Sequence, residues 1–215
     1  MRSYLYLHGF ASSPRSRKAM YLSDRFNSCG LPLNIPDLNR PDFSGLTLTR
    51  QLQQITSEFP KNGTPVVLIG SSFGGLTAAW AAEYCPQVER LVLLAPAFCF
   101  LNYWLPKLGS EQLRHWQEHG EMPIYHYGAG TMLPLRYGFI RDMQQYPDMQ
   151  IQRPVPTLII HGTHDDVIPI SASREFAASH PWVQLMEMNS DHGLGNVLSQ
   201  LWQAIQDFCH LTTSP

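Results

Sequence analysis

Short apolar runs alternate along this chain with segments whose apolar positions recur at helical spacing. The apolar runs predict strands near Tyr4–Leu7, Leu33–Ile35, Val66–Ile69, Leu91–Leu94, Thr157–Ile160 and Val183–Met188. The intervening segments predict helices over about Ser16–Cys29, Leu46–Phe59, Gly74–Tyr84, Ala172–Ser179 and Val197–His210. Strands that alternate with helices in this way are typical of an α/β fold. We therefore predict a doubly wound, mostly parallel six-stranded sheet with helices on both faces.

The segment between Ala95 and Arg153 departs from this alternation, because it holds no run that predicts a strand. Its aromatic residues include Tyr103, Trp104, Trp116, Tyr125, Tyr127, Tyr137 and Phe139. A long aromatic insertion at the end of a strand is typical of a lid over a substrate pocket. We predict a helical lid insertion at about residues 96–152, in which Trp104 and Tyr137 bind substrate. The alternative is a helical excursion that only covers an edge of the sheet.

The size and charge of the chain indicate a single domain over residues 1–215. A chain of 215 residues is long enough to bury a full core. The net charge is −2, and basic residues are scattered except at Arg15, Arg17 and Lys18. Nucleic-acid binding usually needs a basic face, so we predict no nucleic-acid partner. The small basic cluster is predicted to be a solvated loop or helix start rather than an anion site.

The apolar runs are too short to indicate a membrane or secretory segment. The first run, Tyr4–Leu7, is too short for a signal peptide, and no run approaches the roughly 18 residues of a membrane span. The cysteines are widely spaced and form no C-x-x-C pair, which predicts reduced thiols and no zinc site. We therefore expect a cytoplasmic protein with no membrane span, whose last residues, Thr212–Pro215, form a loose tail.

The candidate nucleophile lies in the sequence G-S-S-F-G at positions 70–74, directly after the apolar run Val66–Ile69. This matches the G-x-S-x-G nucleophile elbow, in which a strand turns sharply into a helix with a serine at the apex. The apex residue has a strained backbone, so the positions two before and two after it must be small. Only Ser72 has glycines at both positions, whereas Ser71 is flanked by Ile69 and Phe73. The alternative is a plain glycine-rich turn.

The remaining catalytic parts follow later in the chain. A serine hydroxyl becomes a good nucleophile when a histidine takes its proton and an acid orients that histidine. His192 follows the last predicted strand and precedes the last predicted helix, so its loop can reach Ser72. Asp165, Asp166 and Asp191 all lie near the position required of the acid, and spacing alone leaves the three open. The order serine, acid, histidine is that of the α/β-hydrolases.

Metal binding is the alternative use of this acidic region. His161 and His164 lie beside Asp165 and Asp166. Their spacing matches no common ligand pattern, so we predict no metal site.

An oxyanion hole requires two backbone N–H groups that face the substrate oxygen as it becomes negative. Phe73 follows the candidate nucleophile directly and supplies the first N–H group. The loop after the first predicted strand, H-G-F-A-S-S-P at positions 8–14, supplies the second, for which we predict Phe10. The alternative for this loop is a turn that simply ends the strand.

With these motifs assembled, the chain resembles the α/β-hydrolase superfamily and, more narrowly, the small YqiA-like esterases. The motifs that carry the resemblance are Tyr6–Pro14, Ser16–Ala19, Ile69–Gly75, His161–Pro169 and Asp191–Gly193. The superfamily's acid loop, H-G-x-x-D-x-x-V/I-P, aligns its acid with Asp165. The superfamily's usual first two strands have no counterpart here, which implies a minimal sheet of six strands.

The resemblance implies a serine hydrolase that cleaves small-molecule carboxylic esters or thioesters through an acyl-enzyme. Ser72, His192 and Asp165 would form the triad, with no metal or organic cofactor. The same triad also serves peptide bonds, C–C bonds or peroxide chemistry in this superfamily. A non-catalytic binding module, or a partner-binding role for the aromatic insertion, is the alternative from another class. The oligomeric state is not predicted.

Overall fold

The computed structural model describes residues 2–211, so the expected tail at 212–215 lies outside the described residues. The strands are β1 (Ser3–Leu7), β2 (Leu33–Asn34), β3 (Val66–Ser71), β4 (Val88–Leu94), β5 (Glu121–His126), β6 (Thr131–Arg136), β7 (Thr157–Gly162) and β8 (Val183–Met188). The helices are α1 (Arg17–Ser28), α2 (Leu48–Ser57), α3 (Phe73–Tyr84), α4 (Phe100–Leu108), α5 (Ser110–His119), α6 (Gly138–Met143), α7 (Ile170–Ser179) and α8 (Leu198–Cys209).

Six of the strands form one sheet in the order β2-β1-β3-β4-β7-β8, and every neighbouring pair is parallel. All six predicted strands and all five predicted helices are present, which confirms the predicted fold class. Because each connection between parallel strands crosses over through a helix or a longer segment, all six carboxyl ends meet at one edge of the sheet.

The two faces of the sheet bury separate apolar cores. On one face α1 and α8 pack together, with the rings of Phe26 and Trp202 5.3 Å apart. On the other face lies α3, which is buried on all sides from Phe73 to Ala82. Its alanines and glycines let the helix lie close to the strands, so the end of β3 is held firmly.

The segment between β4 and β7 contains α4, α5, the strands β5 and β6, and α6. The prediction that it holds no strand is wrong, because β5 and β6 pair as an antiparallel hairpin from Glu121↔Arg136 to His126↔Thr131. Pro123 and Pro134 face each other in this hairpin, and both are exposed. Prolines are tolerated in such a two-stranded edge, although in the sequence they resemble the ends of elements.

The hairpin is stabilised by its neighbours rather than by its own alternation of residues. Trp116 of α5 is fully buried and donates its Nε1–H to the Leu135 carbonyl at 2.8 Å. An isolated hairpin of two strands is marginal in water, so this support from α5 accounts for its presence.

Within residues 2–211, no helix has both the length and the apolar character needed to cross a membrane.

Candidate active site

The loops that follow β1, β3, β7 and β8 meet at the carboxyl edge of the sheet. They carry the oxyanion-loop candidate Phe10 and the three triad candidates Ser72, Asp165 and His192. In open α/β sheets this edge is where ligands bind. The residues of a cavity of about 460 Å³ at this edge include Phe10, Ser72 and His192.

Ser72 is the sharp turn between β3 and α3. Its backbone has φ 53° and ψ −119°, a strained conformation for a residue with a side chain. A Cβ on Gly70 would lie 2.3 Å from the Gly74 carbonyl oxygen, and one on Gly74 would lie 2.2 Å from the Leu7 carbonyl oxygen. The two glycines therefore let α3 start against both β3 and β1, which leaves the Ser72 side chain at the apex.

The candidate acid and base are joined directly. His192 Nδ1 lies 2.6 Å from Asp165 Oδ2. The other oxygen of this carboxylate, Oδ1, accepts the backbone N–H groups of Val167 at 2.9 Å and Ile168 at 2.8 Å. The Asp165 side chain is fully buried, whereas that of His192 is 20% exposed. Of the three aspartates that spacing left open, the structure brings Asp165 to the histidine.

The charge of Asp165 is stabilised by its hydrogen bonds. Burial by itself raises the pKa of this carboxyl. Hydrogen bonds from His161 and His192, the electrostatic attraction of His192 and the Ile168 N–H group together outweigh burial and lower the pKa well below its usual range. The acid is therefore an anion at neutral pH, as a partner of a histidine base should be.

His161 is a supporting residue that sequence reasoning considered only as a metal ligand. It is fully buried, with Nε2 3.0 Å from Asp165 Oδ2 and Nδ1 2.7 Å from the Ser173 hydroxyl. It thereby holds the same carboxylate oxygen that His192 contacts. Among the described residues, no group of three or more His, Cys, Asp and Glu is arranged to hold a metal ion.

The loops that carry Asp165 and His192 are also joined through their backbones. His164 N–H donates to the Ser190 carbonyl at 3.0 Å, and Thr163 N–H donates to the Met188 carbonyl at 2.8 Å. A Cβ on Gly162 would lie only 2.4 Å from the Ser190 carbonyl oxygen. Glycine at this position therefore lets the two loops approach closely enough for the acid and base to meet.

The sequence model of one protein family matches this chain over residues 3–209. The chain belongs to UPF0227, an uncharacterised protein family. The resemblance to the YqiA-like proteins is thereby confirmed. No curated protein sequence matches this UPF0227 chain.

Solved structures resemble this UPF0227 member over nearly its whole length. Mouse alpha/beta hydrolase domain-containing protein 10 has a TM-score of 0.80 at 21% identity, covering 97% of this chain and 89% of its own. Est1E of Butyrivibrio proteoclasticus, solved with ferulic acid, has a TM-score of 0.80 at 20% identity, covering 98% and 88%. The monoacylglycerol lipase of Paleococcus ferrophilus has a TM-score of 0.72 at 18% identity, covering 97% and 94%. At these identities the comparison establishes the α/β-hydrolase fold.

The candidate oxyanion loop lies against the apex serine. A Cβ on Gly9 would lie 3.3 Å from Ser72 Cβ, so the loop after β1 approaches the side chain of Ser72 closely. Within residues 2–211, the backbone N–H groups of Phe10 and Phe73 have no protein acceptor. Both N–H groups remain available to a substrate oxygen, which is what the prediction requires of them.

The Ser72 hydroxyl and His192 share the cavity, but across the described part of the chain no direct hydrogen bond joins them. Catalytic hydrogen bonds of this kind often tighten only when substrate is bound.

The insertion between β4 and β7 forms an apolar wall of the cavity. Its contributions are Phe100, Trp104, Ile124, Tyr125 and Tyr127. This wall packs on the oxyanion loop through aromatic rings, because the ring of Phe10 lies 5.3 Å from Trp104 and 5.7 Å from Phe100. The turn of the hairpin touches the same loop, where Gly128 N–H donates to the Ala11 carbonyl at 3.2 Å.

The structure separates the two predicted substrate-binding residues. Trp104 lines the cavity, but Tyr137 does not. The Tyr137 ring instead packs edge-on against Trp116 at 5.6 Å and contacts Arg141. Tyr137 N–H donates to the Gly120 carbonyl, which fixes this residue at the start of α6, beside the beginning of β5. Its position is set by packing within the insertion.

Lys18 lines the cavity, although the sequence predicts a solvated loop or helix start at this position. Arg15 and Arg17 are exposed, as predicted for a solvated helix start, but Lys18 is half-buried and lines the cavity with Ser72. Its Nζ donates to the His192 carbonyl at 3.3 Å. This contact spans most of the chain, so no local pattern around Lys18 could have indicated it.

Proposed function

We propose that this protein is a serine hydrolase that cleaves carboxylic esters or thioesters through an acyl-enzyme. The observation that carries the proposal is the 2.6 Å contact between His192 Nδ1 and Asp165 Oδ2, beside a cavity that also holds Ser72. Two of the structural relatives support the choice of substrate. One is a monoacylglycerol lipase, and the other, Est1E, was solved with a carboxylic acid bound.

The first step follows from the tautomer that Asp165 imposes. With its Nδ1–H donated to the carboxylate, His192 keeps a lone pair on Nε2 and can take the proton of the Ser72 hydroxyl. Ser72 Oγ then forms a bond to the acyl carbon, and the carbonyl π electrons move to oxygen. The Phe10 and Phe73 N–H groups donate to that oxyanion. Asp165 stabilises the imidazolium that has formed on His192.

The second step releases the alcohol or thiol. The tetrahedral intermediate collapses, the bond from the acyl carbon to the leaving oxygen or sulfur breaks, and His192 gives its proton to the leaving atom. Water then takes the place of the leaving group, loses a proton to His192 and attacks the acyl-enzyme. Collapse of this second intermediate breaks the bond to Ser72 Oγ and frees the carboxylic acid.

We also propose that the insertion at about residues 96–152 serves as the substrate lid. Trp104 and Phe100 lie on the cavity wall and pack on the ring of Phe10, whose N–H group faces the oxyanion in this mechanism. An apolar wall of this kind favours apolar acyl groups, since each buried methylene contributes about 0.8 kcal/mol.

Hydrolysis of a panel of p-nitrophenyl esters and acyl thioesters, from acetyl to octanoyl, tests the proposal. We expect turnover with a preference for the longer acyl groups. Folded protein that hydrolyses none of them would contradict the proposed function, and the reading as a non-catalytic binding module would replace it. Equal efficiency on acetyl and octanoyl esters would contradict the lid alone.

A further inference from the structure

The cavity beside Ser72 has two chemically different ends. The apolar end is the wall supplied by the insertion. The polar end is formed by β1 and the start of α1, where Tyr6 and Ser16 contribute hydroxyl groups and Lys18 contributes one ammonium group. Among the described residues that line the cavity, Lys18 is the one Lys or Arg side chain, and no acidic side chain is present. A hydrolase for purely apolar esters has no need of this arrangement.

Lys18 has hydrogen-bonding capacity to spare. An ammonium group has three donors, and one of them reaches the His192 carbonyl at 3.3 Å. Across residues 2–211, no carboxylate oxygen lies within 4.0 Å of its Nζ. Asp165 and Asp191 are near enough to raise its pKa, but neither carboxylate pairs with it. The oxygens of Asp165 are already occupied by Val167, Ile168 and the two histidines.

The position of Lys18 indicates which part of a substrate it would meet. His192 gives a proton to the leaving alcohol or thiol, so the leaving group departs beside His192. Lys18 contacts His192 from the polar end of the cavity, while Trp104 and Phe100 lie on the apolar wall. The acyl group therefore fits the apolar wall, and the leaving group fits the end that holds Lys18.

We infer that Lys18 binds a carboxylate or phosphate on the leaving alcohol or thiol, and so selects esters with a negatively charged leaving group. This inference rests on the proposed function, since it assigns the two ends of a substrate around Ser72 and His192. A half-buried ammonium that already faces the cavity needs little reorganisation to receive an anion.

Three octanoyl esters test the inference. The first is the ester of γ-hydroxybutyrate, and the second is the ester of γ-hydroxybutyramide, which is neutral and of nearly the same shape. The third is the octanoyl ester of propanediol phosphate. Comparing it with the first ester shows whether Lys18 prefers a carboxylate or a phosphate. Methylene groups insulate the ester from the charge in each, so a difference in kcat/KM reports binding of the charge. The ratio of charged to neutral kcat/KM is measured for the wild type and for each variant.

We expect the wild type to favour the better of the two anionic esters over the amide by about tenfold, the size expected of a hydrogen bond to a charged group. Lys18→Met keeps the length of the side chain and should bring the ratio close to one. Lys18→Arg keeps the charge and should retain most of the preference. Lys61→Met removes a lysine that is exposed and outside the cavity, and should leave the ratio unchanged.

The competing account is that Lys18 only positions His192 through its carbonyl. In that case Lys18→Met would lower kcat/KM for the charged and neutral esters by the same factor, which would overturn the inference. A wild-type ratio of one or below for both anions would also overturn it. Neither result affects the proposed function as long as hydrolysis still depends on Ser72. If hydrolysis does not depend on Ser72, the proposed function fails and the inference fails with it.

Discussion

Two regions border the cavity of this protein, and they are held in place by different forces. The loops after β7 and β8 are fixed by backbone hydrogen bonds and by a close approach at Gly162, where a Cβ would lie 2.4 Å from a carbonyl oxygen. The cavity side of the insertion is held by aromatic rings that pack on Phe10, together with one backbone hydrogen bond from Gly128. The difference suits the tasks we propose for them, because proton transfer depends on geometry to within fractions of an ångström whereas an apolar wall does not.

The largest expected effect comes from removing the proposed nucleophile, which lies in the rigid region. Ser72→Ala should lower kcat by a factor on the order of 10⁶, because the base and the oxyanion donors have no hydroxyl to activate. The fold should be retained, since alanine lacks only one oxygen. Initial rates measure the loss of kcat, and a thermal melt checks that the variant keeps its fold. Turnover of the variant near the wild-type rate would contradict the mechanism.

Removing the charge of the acid should have the next largest effect. Asp165→Asn should lower kcat by a factor on the order of 10⁴, because an amide can no longer hold His192 in the required tautomer or stabilise the imidazolium. Asp166→Asn is the matched control, since Asp166 is exposed and its side chain makes no contact with His192. A larger loss for Asp166→Asn than for Asp165→Asn would reverse the assignment of the acid.

The close approach at Gly162 can be tested without touching a catalytic group. Gly162→Ala should push the His192 loop away and lower kcat on the order of 10²-fold, the usual cost of misplacing a catalytic group by about 1 Å. Gly138→Ala is the control, because a Cβ there meets nothing within 4 Å. That control should be as active as the wild type and slightly more stable, since alanine is the better helix former. Equal activity of both variants would show that the loops tolerate movement.

In the insertion we expect a smaller and more selective effect. Trp104→Ala should lower the ratio of octanoyl to acetyl kcat/KM by about tenfold, because the variant loses apolar contact with a long acyl chain only. Tyr84→Ala is an aromatic control on an exposed residue outside the cavity. Kinetics on the two esters measure the ratio. A loss of equal size on both esters would place Trp104 in the chemistry rather than in the wall.

The smallest expected effect is a pH dependence at the polar end of the cavity. Burial lowers the pKa of Lys18 to about 8, although Asp165 and Asp191 oppose this shift. The group carries its charge below that pH and loses it above. Tyr6 faces the same end and stays neutral, because burial raises its pKa to about 12. The preference for anionic over neutral esters should therefore fall severalfold between about pH 7 and pH 9.

The two esters are compared on the same enzyme at each pH, so a change in the rate that both esters share cancels from the ratio. A preference for anionic esters that is constant across this range would show that Lys18 does not supply the charge.

The sequence predicts the sheet well because its signals are local. An apolar run such as Val66–Ile69 is buried on both faces of a parallel sheet, and a motif such as G-x-S-x-G reflects contacts between residues close in the chain. The turn at Ser72, the loop with Asp165 and the loop with His192 each follow one strand. The sheet topology then brings the carboxyl ends of these strands to one edge.

Features that depend on long-range packing could not be predicted in the same way. The direction of Tyr137 depends on Trp116, and the hairpin of β5 and β6 depends on support from α5. Lys18 resembles its exposed neighbours in the sequence. Its place in the cavity depends on the loop of His192, which lies far along the chain and reaches Lys18 only in the folded protein.

Labelling with a fluorophosphonate probe, followed by mass spectrometry of the modified peptide, tests the central claim most directly. Such a probe bonds to a serine that is activated by a base and faces an oxyanion hole. We predict labelling at Ser72 in the wild type and in Ser71→Ala, and loss of that labelling in His192→Ala. Modification of another serine, or an unlabelled wild-type protein that is folded, would contradict the account.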